Sequence, residues 1–261
     1  MSTSLPAVGR FVDGRDGRPG STRTPGRFLP HRQPFWRPAI SHATVEGMAT
    51  DDSSPDTVTQ PAKPHDPGSA EGWDARYRGA DRLWTSDVNP ALVAEVSDLD
   101  PGTALDVGSG EGADARWLAD RGWQVTALDI SQVAVDRARE IDPRPSITWL
   151  RADVIADDVP AADVGLVTAH YFPIPKENID AARRMVEAVG PGGSLLVVAH
   201  APEGVRAHGF DPDAYVQPGD FADLLGEDWE VVTDETRERG RAAGGGHHTH
   251  DVVFRARRRP A

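Results

Sequence analysis

The chain has 261 residues, enough for one sizeable domain with extensions or for two small domains. Its 28 Lys and Arg residues against 41 Asp and Glu residues give a net charge of −13, and such a surface does not favour binding to a polyanion such as nucleic acid. The chain contains no Cys, which excludes disulfides, thiolate metal sites and Cys nucleophiles.

Hydropathy argues against a membrane protein. No apolar run approaches the length of a membrane span, and the N-terminus has no hydrophobic signal core. The sequence therefore predicts a cytoplasmic location without a membrane partner.

Residues 1–68 are rich in Pro, Gly, Ser, Thr and Arg and show no apolar periodicity. Such a segment buries too little apolar surface to offset its ordering entropy, so we expect a disordered extension here and a folded domain over residues 69–261. Met48 is followed by a polar stretch that would make an ordinary N-terminus. Two hypotheses follow: the natural start lies at Met48, or the Arg-rich beginning is a targeting or regulatory arm.

An aromatic segment precedes the first predicted strand. Trp73, Tyr77 and Trp84 are concentrated there, and Asn89 followed by Pro90 favours the start of a helix. The aromatic side chains either pack a helix over the edge of the sheet or form a lid over a ligand.

The most informative stretch is residues 104–112. Apolar residues lead into Asp106, and glycine then occupies every second position, at Gly108, Gly110 and Gly112. A helix is predicted over 113–121, and a second strand over 125–129 ends in Asp129. This unit is typical of nucleotide binding, because glycines admit a ligand against bare backbone and a terminal acid accepts hydrogen bonds from ribose hydroxyls.

The glycine spacing restricts the chemical class of the expected ligand. A dinucleotide site has the pattern Gly-x-Gly-x-x-Gly, whereas here the spacing is Gly-x-Gly-x-Gly with Asp106 before it and Glu111 within it. Two carboxylates would repel a pyrophosphate and suit a ligand with positive charge. A different nucleotide and a degenerate site remain the alternatives.

The remaining predicted elements follow in this order: a helix over 132–140 with Ser131 as its N-cap, strands over 147–150 and 164–169, a helix over 179–189 closed by the turn 190–193, a strand over 194–200, a short helix over 220–225, and two final strands over 229–232 and 251–255.

His170 and Tyr171 follow the fourth strand, at the end where ligands bind in doubly wound sheets. His170 either positions a substrate or acts as a base near neutral pH, or it is a packed histidine bonded to backbone. Tyr171 is expected to wall the pocket.

The glycine turn, the acid Asp129 and the helix, Pro-Gly-Gly turn and strand around 190–193 resemble the class I S-adenosylmethionine-dependent methyltransferases over residues 72–259. Their cofactor carries an ammonium and a sulfonium but no phosphate. The resemblance implies an α/β fold: a Rossmann-like, doubly wound, seven-stranded sheet, mainly parallel, with an antiparallel C-terminal strand. Within that superfamily the chain is most similar to bacterial tellurite-resistance and thiopurine methyltransferases.

The resemblance also implies roles. Asp106 would contact the methionine ammonium, Asp129 the ribose hydroxyls and Asp153 the adenine amine, although Asp153 also fits a loop acid or helix cap. The implied cofactor-binding set is Asp106, Gly108, Ser109, Gly110, Gly112, Asp129, Ile130, Asp153, Val154 and Thr168; His170 is the candidate base, and Tyr77, Trp84 and Tyr171 are the lid and substrate residues.

The expected reaction is methyl transfer from S-adenosyl-L-methionine to a small-molecule acceptor, with neither nucleic acid nor membrane as partner; the sequence leaves the oligomeric state open. The sequence leaves two other functions as alternatives. One is an oxidoreductase that uses NAD(P), and the other is a non-catalytic nucleotide-binding module on the same fold.

Three histidines, His247, His248 and His250, follow a run of glycines between the last two strands. They suggest a metal site, a substrate contact or an exposed loop. Because only three are local and two are adjacent, we predict no metal site.

Overall fold

The computed structural model describes residues 68–207, 211–239 and 249–261. The predicted N-terminal extension, apart from Gly68, and the residues His247 and His248 lie outside the described residues. The α-helices are α1 (Ala70–Arg78), α2 (Pro90–Val96), α3 (Ala113–Ala119), α4 (Gln132–Ile141), α5 (Ile179–Ala188) and α6 (Pro202–Ala207). The strands are β1 (Thr103–Val107), β2 (Gln124–Asp129), β3 (Ile147–Arg151), β4 (Val164–His170), β5 (Val189–His200), β6 (Trp229–Glu238) and β7 (His250–Arg258).

The strands form a seven-stranded sheet in the order β3-β2-β1-β4-β5-β7-β6. Strands β1 to β5 pair in parallel, and β7 pairs antiparallel to both β5 and β6. The predicted fold is therefore confirmed. Strand order reverses between β1 and β4, and a crevice outside the strand ends at such a point is where ligands bind in open α/β sheets.

Each face of the sheet has its own core. One contains Leu105 and Val167 and is covered by Met185 of α5. The other contains Ala104, Leu166, Leu196, Val198 and Val253 and is covered by apolar residues of α2, α3 and α4. Because side chains alternate along a strand, residues an even number of positions from members of this second core share its face. The polar residues placed in this way at the strand ends are Asp106, Thr168, His170, His200 and Asp251.

The start of strand β5 differs from the sequence-based prediction because of glycine. Strand β5 begins at Val189, five residues earlier than expected, since Gly190 and Gly193 run against the backbone at Asp163 and Val164 instead of turning away. A Cβ on Gly190 would lie 2.8 Å from the carbonyl of Asp163. Only residues without side chains permit this approach.

Other differences have simpler causes. Helix α3 ends at Ala119, before the left-handed Gly122, two residues short of the prediction. The predicted helix over 220–225 is a 3₁₀ helix, Pro218–Leu224, and the 3₁₀ turns Lys176–Asn178 and Pro212–Ala214 and helix α6 had no sequence-based prediction. Strand β6 extends beyond its predicted end at position 232 because it is an exposed edge strand without the apolar alternation that marks a buried one.

Replacement of Gly112 tests how tightly the first turn packs. Gly112 and Gly192 both have φ of +81°, but a Cβ on Gly112 would lie 2.2 Å from the Trp149 ring, whereas nothing lies within 4 Å at Gly192. We expect Gly192→Ala to cost about 1–2 kcal/mol for its left-handed backbone. Gly112→Ala should cost about 1–3 kcal/mol more through overpacking.

Urea unfolding of both variants measures this difference. Equal losses in the free energy of unfolding would show that Trp149 moves aside freely and that the turn is not held by packing.

Candidate functional site

The turn after β1 consists of three glycines in the left-handed region. Gly108, Gly110 and Gly112 have φ values of 71°, 54° and 81°, a conformation that residues with side chains adopt at a cost. The N–H of Ser109 donates to the Leu128 carbonyl at 2.8 Å. The turn is thereby held against the end of β2, at the strand-end crevice.

Asp129 ends β2 and is buried. One carboxylate oxygen accepts the Gly110 N–H at 2.9 Å, and the other accepts the Ser131 N–H at 2.8 Å. Burial raises the pKa of Asp129 to about 6, and these two N–H groups hold it from rising further. A carboxylate has about four acceptor positions, so about two remain for a ligand's hydroxyl groups.

Asp106 lies beneath the same turn and is 2 % exposed. Within the described part of the chain its Oδ2 is buried without a hydrogen-bond partner. Burial, followed by the neighbouring Asp114, raises the pKa of Asp106 to about 7, although His170 acts in the opposite direction. Buried polar atoms are nearly always paired, and an open carboxylate oxygen fits a cationic donor such as an ammonium.

His170 ends β4, and its side chain is only 6 % exposed. Its Nδ1 lies 2.8 Å from Oδ2 of Asp114, whose other oxygen accepts the N–H of Asn89 at 2.7 Å. Burial alone would lower the pKa of His170, but the carboxylates of Asp114, Asp106 and Asp251 outweigh it and raise the pKa. These surroundings favour a packed imidazolium. Thr168 Oγ1 is its other ring contact, at 3.4 Å.

The aromatic segment lies directly on the glycine turn. The Trp84 Nε1–H donates to the hydroxyl of the buried Tyr77 at 2.9 Å. A Cβ on Gly110 would lie 3.1 Å from that hydroxyl and 3.3 Å from Cδ1 of Trp84. Helix α1 is anchored by Asp74, which accepts the Ser131 hydroxyl at 2.6 Å at the start of α4. Tyr77 and Trp84 thus cover the glycine turn; we call the segment that carries them the lid for its position, and its role over a ligand stays a prediction.

Glu111 holds the lid in place. Its Oε2 accepts the N–H groups of Leu83 and Trp84 at 3.2 and 3.1 Å, and its Oε1 pairs with Arg137 at 3.1 Å. Arg137 also donates to the Ala80 carbonyl at 2.8 Å. The sequence-based interpretation of Glu111 as a charge that suits the ligand is therefore not supported, because the chain's own donors occupy its carboxylate. Of these two carboxylates, Asp106 is the one that still favours a ligand with positive charge.

The other predicted cofactor residues lie at the ends of the neighbouring strands. Asp153 follows β3, and its Oδ1 accepts the Ile155 N–H at 3.0 Å, so one of its oxygens caps a turn. The Val154 side chain is in the core, and Ile130 is half-buried after β2. Ser109 Oγ is buried without a partner in the described part of the chain.

Four residues form a second polar cluster, which we call the β5–β7 cluster: Tyr171, His200, Arg239 and Asp251. The carboxylate of Asp251 accepts the Tyr171 hydroxyl at 2.8 Å and lies 3.1 Å from His200 Nδ1. The Arg239 guanidinium carbon lies 5.1 Å from the Tyr171 ring centre. Sequence reasoning predicted only Tyr171 of this set, because the pairing of His200 with Asp251 depends on the register of β5 against β7.

Within residues 68–207, 211–239 and 249–261, no group of three His, Asp or Glu side chains could hold a metal ion. His250, the member of the histidine run that these ranges include, is exposed at the start of β7. No helix there is long and apolar enough to cross a membrane.

Comparison with known proteins gives a consistent result. Residues 104–193 match the family model described as a methyltransferase domain. An uncharacterized methyltransferase of Mycobacterium tuberculosis is 31% identical over 131 residues, covering 48% of this chain and 65% of the relative. The ribosomal RNA small subunit methyltransferase C of Alcanivorax borkumensis is 30% identical over 106 residues, 38% of this chain and 33% of the relative. The chain thus spans less than two thirds of the curated relatives' length.

Solved structures share the fold. The N-methyltransferase NodS from Bradyrhizobium japonicum, in complex with S-adenosyl-l-homocysteine, has a TM-score of 0.58 at 20% identity over 73% of this chain and 98% of that chain. A structure described under the conversion of a disulfide bond into a thioacetal group during echinomycin biosynthesis also has a TM-score of 0.58, at 23% identity. That match covers 73% of this chain and 92% of the other chain. The narrower likeness to tellurite-resistance and thiopurine methyltransferases is not confirmed.

The lid contacts of Glu111 can be measured without any ligand. In Glu111→Ala the N–H groups of Leu83 and Trp84 lose a charged acceptor worth about 1.5–3 kcal/mol. We therefore expect their hydrogen–deuterium exchange to accelerate by about tenfold to a hundredfold, as measured by mass spectrometry of peptides covering 79–88. Glu140→Ala, on the exposed side of α4, is the matched control. Unchanged exchange in Glu111→Ala would mean that the lid is held by its aromatic packing alone.

Proposed function

We propose that this protein is an S-adenosylmethionine-dependent methyltransferase acting on a small-molecule acceptor. The observation that carries the proposal is the buried carboxylate of Asp106, with an oxygen left open beneath a turn of three left-handed glycines. That site fits an ammonium group and opposes a phosphate. The methyltransferase-domain match over residues 104–193 supports the same reaction.

The cofactor-binding residues follow from the site. Asp106 would hold the ammonium of the cofactor and Asp129 its ribose hydroxyls, through the acceptor positions that Gly110 and Ser131 leave open. Ile130, Asp153 and Val154, after β2 and β3, would surround the adenine. When bound, S-adenosylmethionine supplies a methyl group already activated on a sulfonium.

The chain's own residues then align the acceptor and exclude water. Tyr77 and Trp84 close over the glycine turn, and aromatic faces attract a sulfonium by about 0.5–2 kcal/mol. Methyl transfer depends chiefly on holding the acceptor in line with the carbon–sulfur bond. His170 supplies positive charge between Asp106 and Asp114; its sequence-based role as the base stays a prediction, and its carboxylate neighbours oppose that role.

An NAD(P)-dependent oxidoreductase is not favoured. Its pyrophosphate would face the open carboxylate of Asp106, whose charge the neighbouring His170 offsets only in part because His170 pairs directly with Asp114. A non-catalytic nucleotide-binding module differs from the proposed enzyme in a single observable, methyl transfer.

The net charge of −13 also supports a small acceptor over nucleic acid. Membership of the tellurite-resistance and thiopurine subgroup remains part of the proposal.

Incubation with labelled S-adenosylmethionine tests the function directly. The acceptor panel consists of thiols, phenols, amines, halides and oxyanions of tellurium and selenium. Transfer to any member supports an enzyme. Binding of S-adenosylhomocysteine without transfer to any acceptor supports the binding module, and absence of binding contradicts the proposal.

Cofactor binding should release a proton near neutral pH. Burial and the neighbouring Asp114 raise the pKa of Asp106 to about 7 without ligand, so part of the carboxyl groups carries a proton near neutral pH. An arriving ammonium favours the carboxylate and lowers this pKa. The affinity for S-adenosylhomocysteine should therefore rise up to tenfold per pH unit below pH 7 and level off above it.

Titration calorimetry in buffers of different ionisation enthalpy counts the released proton. Two controls isolate Asp106: the Asp106→Asn variant, and 5′-methylthioadenosine, a ligand that lacks the amino-acid part. Neither should show the proton release. A proton released equally by 5′-methylthioadenosine would place the linkage elsewhere.

Asp129→Ala should weaken S-adenosylhomocysteine binding about tenfold to a hundredfold, since charge-assisted hydrogen bonds contribute about 1.5–3 kcal/mol. Asp129→Asn should lose less, because its amide oxygen still accepts hydrogen bonds. Calorimetry of both variants, with the exposed Asp158→Asn as control, measures the effect. Normal affinity in a folded Asp129→Ala would remove Asp129 from the cofactor site.

A further inference from the structure

We propose that Arg239 binds a carboxylate group of the methyl acceptor, so that the acceptor is a small molecule with a negative charge. The inference rests on the proposed methyltransferase function and adds the chemical class of its substrate. Arg239 directly follows strand β6 and belongs to the β5–β7 cluster, in which Asp251 and Tyr171 lie next to its guanidinium.

The side chain of Arg239 donates no hydrogen bond to any residue that the structure describes. Its Nε is buried without a hydrogen-bond partner and lies 3.7 Å from Oδ2 of Asp251, beyond hydrogen-bond distance. The side chain is 23 % exposed, so an incoming molecule can reach the group. A guanidinium has five N–H donors in a planar fork, and a carboxylate accepts two of them at once.

Asp251 takes its hydrogen bonds from other residues. Its Oδ2 accepts the Tyr171 hydroxyl at 2.8 Å, and its Oδ1 lies 3.1 Å from Nδ1 of His200. Burial would raise the pKa of Asp251, but the hydrogen bonds from His200 and Tyr171, followed by the charge of Arg239, lower it. Arg239 therefore acts on Asp251 through its charge alone, and its donors are left for a ligand.

Two other arginines near the same edge of the sheet are already paired. Arg137 lies 3.1 Å from the Glu111 carboxylate, and Arg237 lies 2.8 Å from that of Glu95. Both of these pairs hold one element of the chain against another. Arg239 differs from them because no carboxylate of the described residues lies within hydrogen-bond distance of its guanidinium.

The sheet places Arg239 on the edge where the cofactor site lies. Strand β7 runs antiparallel to β5 and to β6, so the end of β6 lies beside the carboxyl ends of β4 and β5. Three strand spacings of about 4.8 Å separate β6 from β4. The Arg239 side chain crosses this gap, because its guanidinium carbon lies 5.1 Å from the centre of the Tyr171 ring, one residue after His170. A small acceptor bound there lies next to the proposed cofactor side.

Tyr171 departs from the strand pattern to make this contact. Its φ is +56°, in the left-handed region that a bulky side chain rarely adopts, and such strain concentrates at functional sites. Asp251 holds its hydroxyl, and the His200 ring stacks on its ring at 4.1 Å. The fixed ring shields one face of the guanidinium from water, which strengthens an ion pair formed at the edge of that group.

Charge makes a cation necessary on the acceptor side. The chain carries a net charge of −13, and Asp106, Asp114 and Asp129 surround the proposed cofactor site. An acceptor with a carboxylate would be repelled there unless a cation held it. Arg239 supplies that cation and repels a positively charged acceptor, so the same residue selects for one charge and against the other.

Matched acceptor pairs test the charge requirement in the full-length protein with labelled S-adenosylmethionine. Each pair combines a carboxylate with its uncharged amide of nearly the same shape. The pairs are mercaptoacetate and mercaptoacetamide, para-hydroxybenzoate and para-hydroxybenzamide, and β-alanine and β-alaninamide. We expect the wild-type protein to prefer the carboxylate of at least one pair by about tenfold or more in kcat/KM.

Substitution of Arg239 tests the residue itself. Arg239→Gln should raise KM for the preferred carboxylate about tenfold to a hundredfold, with a smaller change in kcat, and should leave its amide unaffected. Arg239→Lys keeps the charge but not the planar fork, so it should restore only part of the loss. Both variants should bind S-adenosylhomocysteine within threefold of wild type. Arg183→Gln, an exposed arginine of α5, is the matched control and should keep the wild-type preference.

Four results would overturn the inference. They are equal transfer to both members of every pair, a carboxylate preference that persists in Arg239→Gln, transfer confined to halides or to oxyanions of tellurium and selenium, and weakened S-adenosylhomocysteine binding in Arg239→Gln. The last result would assign Arg239 to the carboxylate of the cofactor. If Arg239→Gln does not fold, the wild-type preference and Arg239→Lys decide the question. A wild-type protein that transfers to no acceptor, or does not bind S-adenosylhomocysteine, would instead contradict the proposed function itself.

Discussion

The hydrogen bond from the Gly110 N–H to the Asp129 carboxylate, at 2.9 Å, joins the glycine turn to the end of β2, and the rest of the site is built around that turn. Each of its three glycines faces an aromatic ring from another element. Phe172 after β4 meets Gly108, the lid residues Tyr77 and Trp84 meet Gly110, and Trp149 of β3 meets Gly112. Because a Cβ at any of these positions would press on a ring, the absence of side chains serves packing as well as ligand access.

Charge is the second organising principle. Four buried or nearly buried carboxylates surround the turn, and three of them are paired with groups of the chain itself. Glu111 is neutralised by Arg137 and Asp114 by His170, and Asp129 accepts two backbone N–H groups. Asp106 alone keeps an open oxygen. An unpaired buried carboxylate is costly to the folded protein, so a cationic ligand group that pairs with it both binds and stabilises.

Two polar clusters lie side by side at the strand ends of the sheet. Asp106, Asp129 and the lid lie at the ends of β1 and β2, and the β5–β7 cluster lies beyond β4. The left-handed backbone of Tyr171, directly after His170, connects the two regions, because it brings the Tyr171 hydroxyl to Asp251. A parallel sheet makes this division possible, because all of its strand ends that carry ligands open on one edge.

The sequence by itself determined the architecture and which residues gather at the glycine turn. Strand, glycine turn, helix and acid are contiguous, and their periodicities follow from local geometry, so Asp106, the glycines and Asp129 could be predicted from spacing alone. The tertiary structure decided what depends on distant contacts. In the folded chain the Glu111 carboxylate accepts the backbone N–H groups of Leu83 and Trp84, and several carboxylates surround His170. The register of β5 against β7 brings His200 to Asp251, 51 residues away in the sequence. No local pattern records register between strands so far apart in the chain, because the side-chain alternation of each strand is the same whichever residue lies opposite.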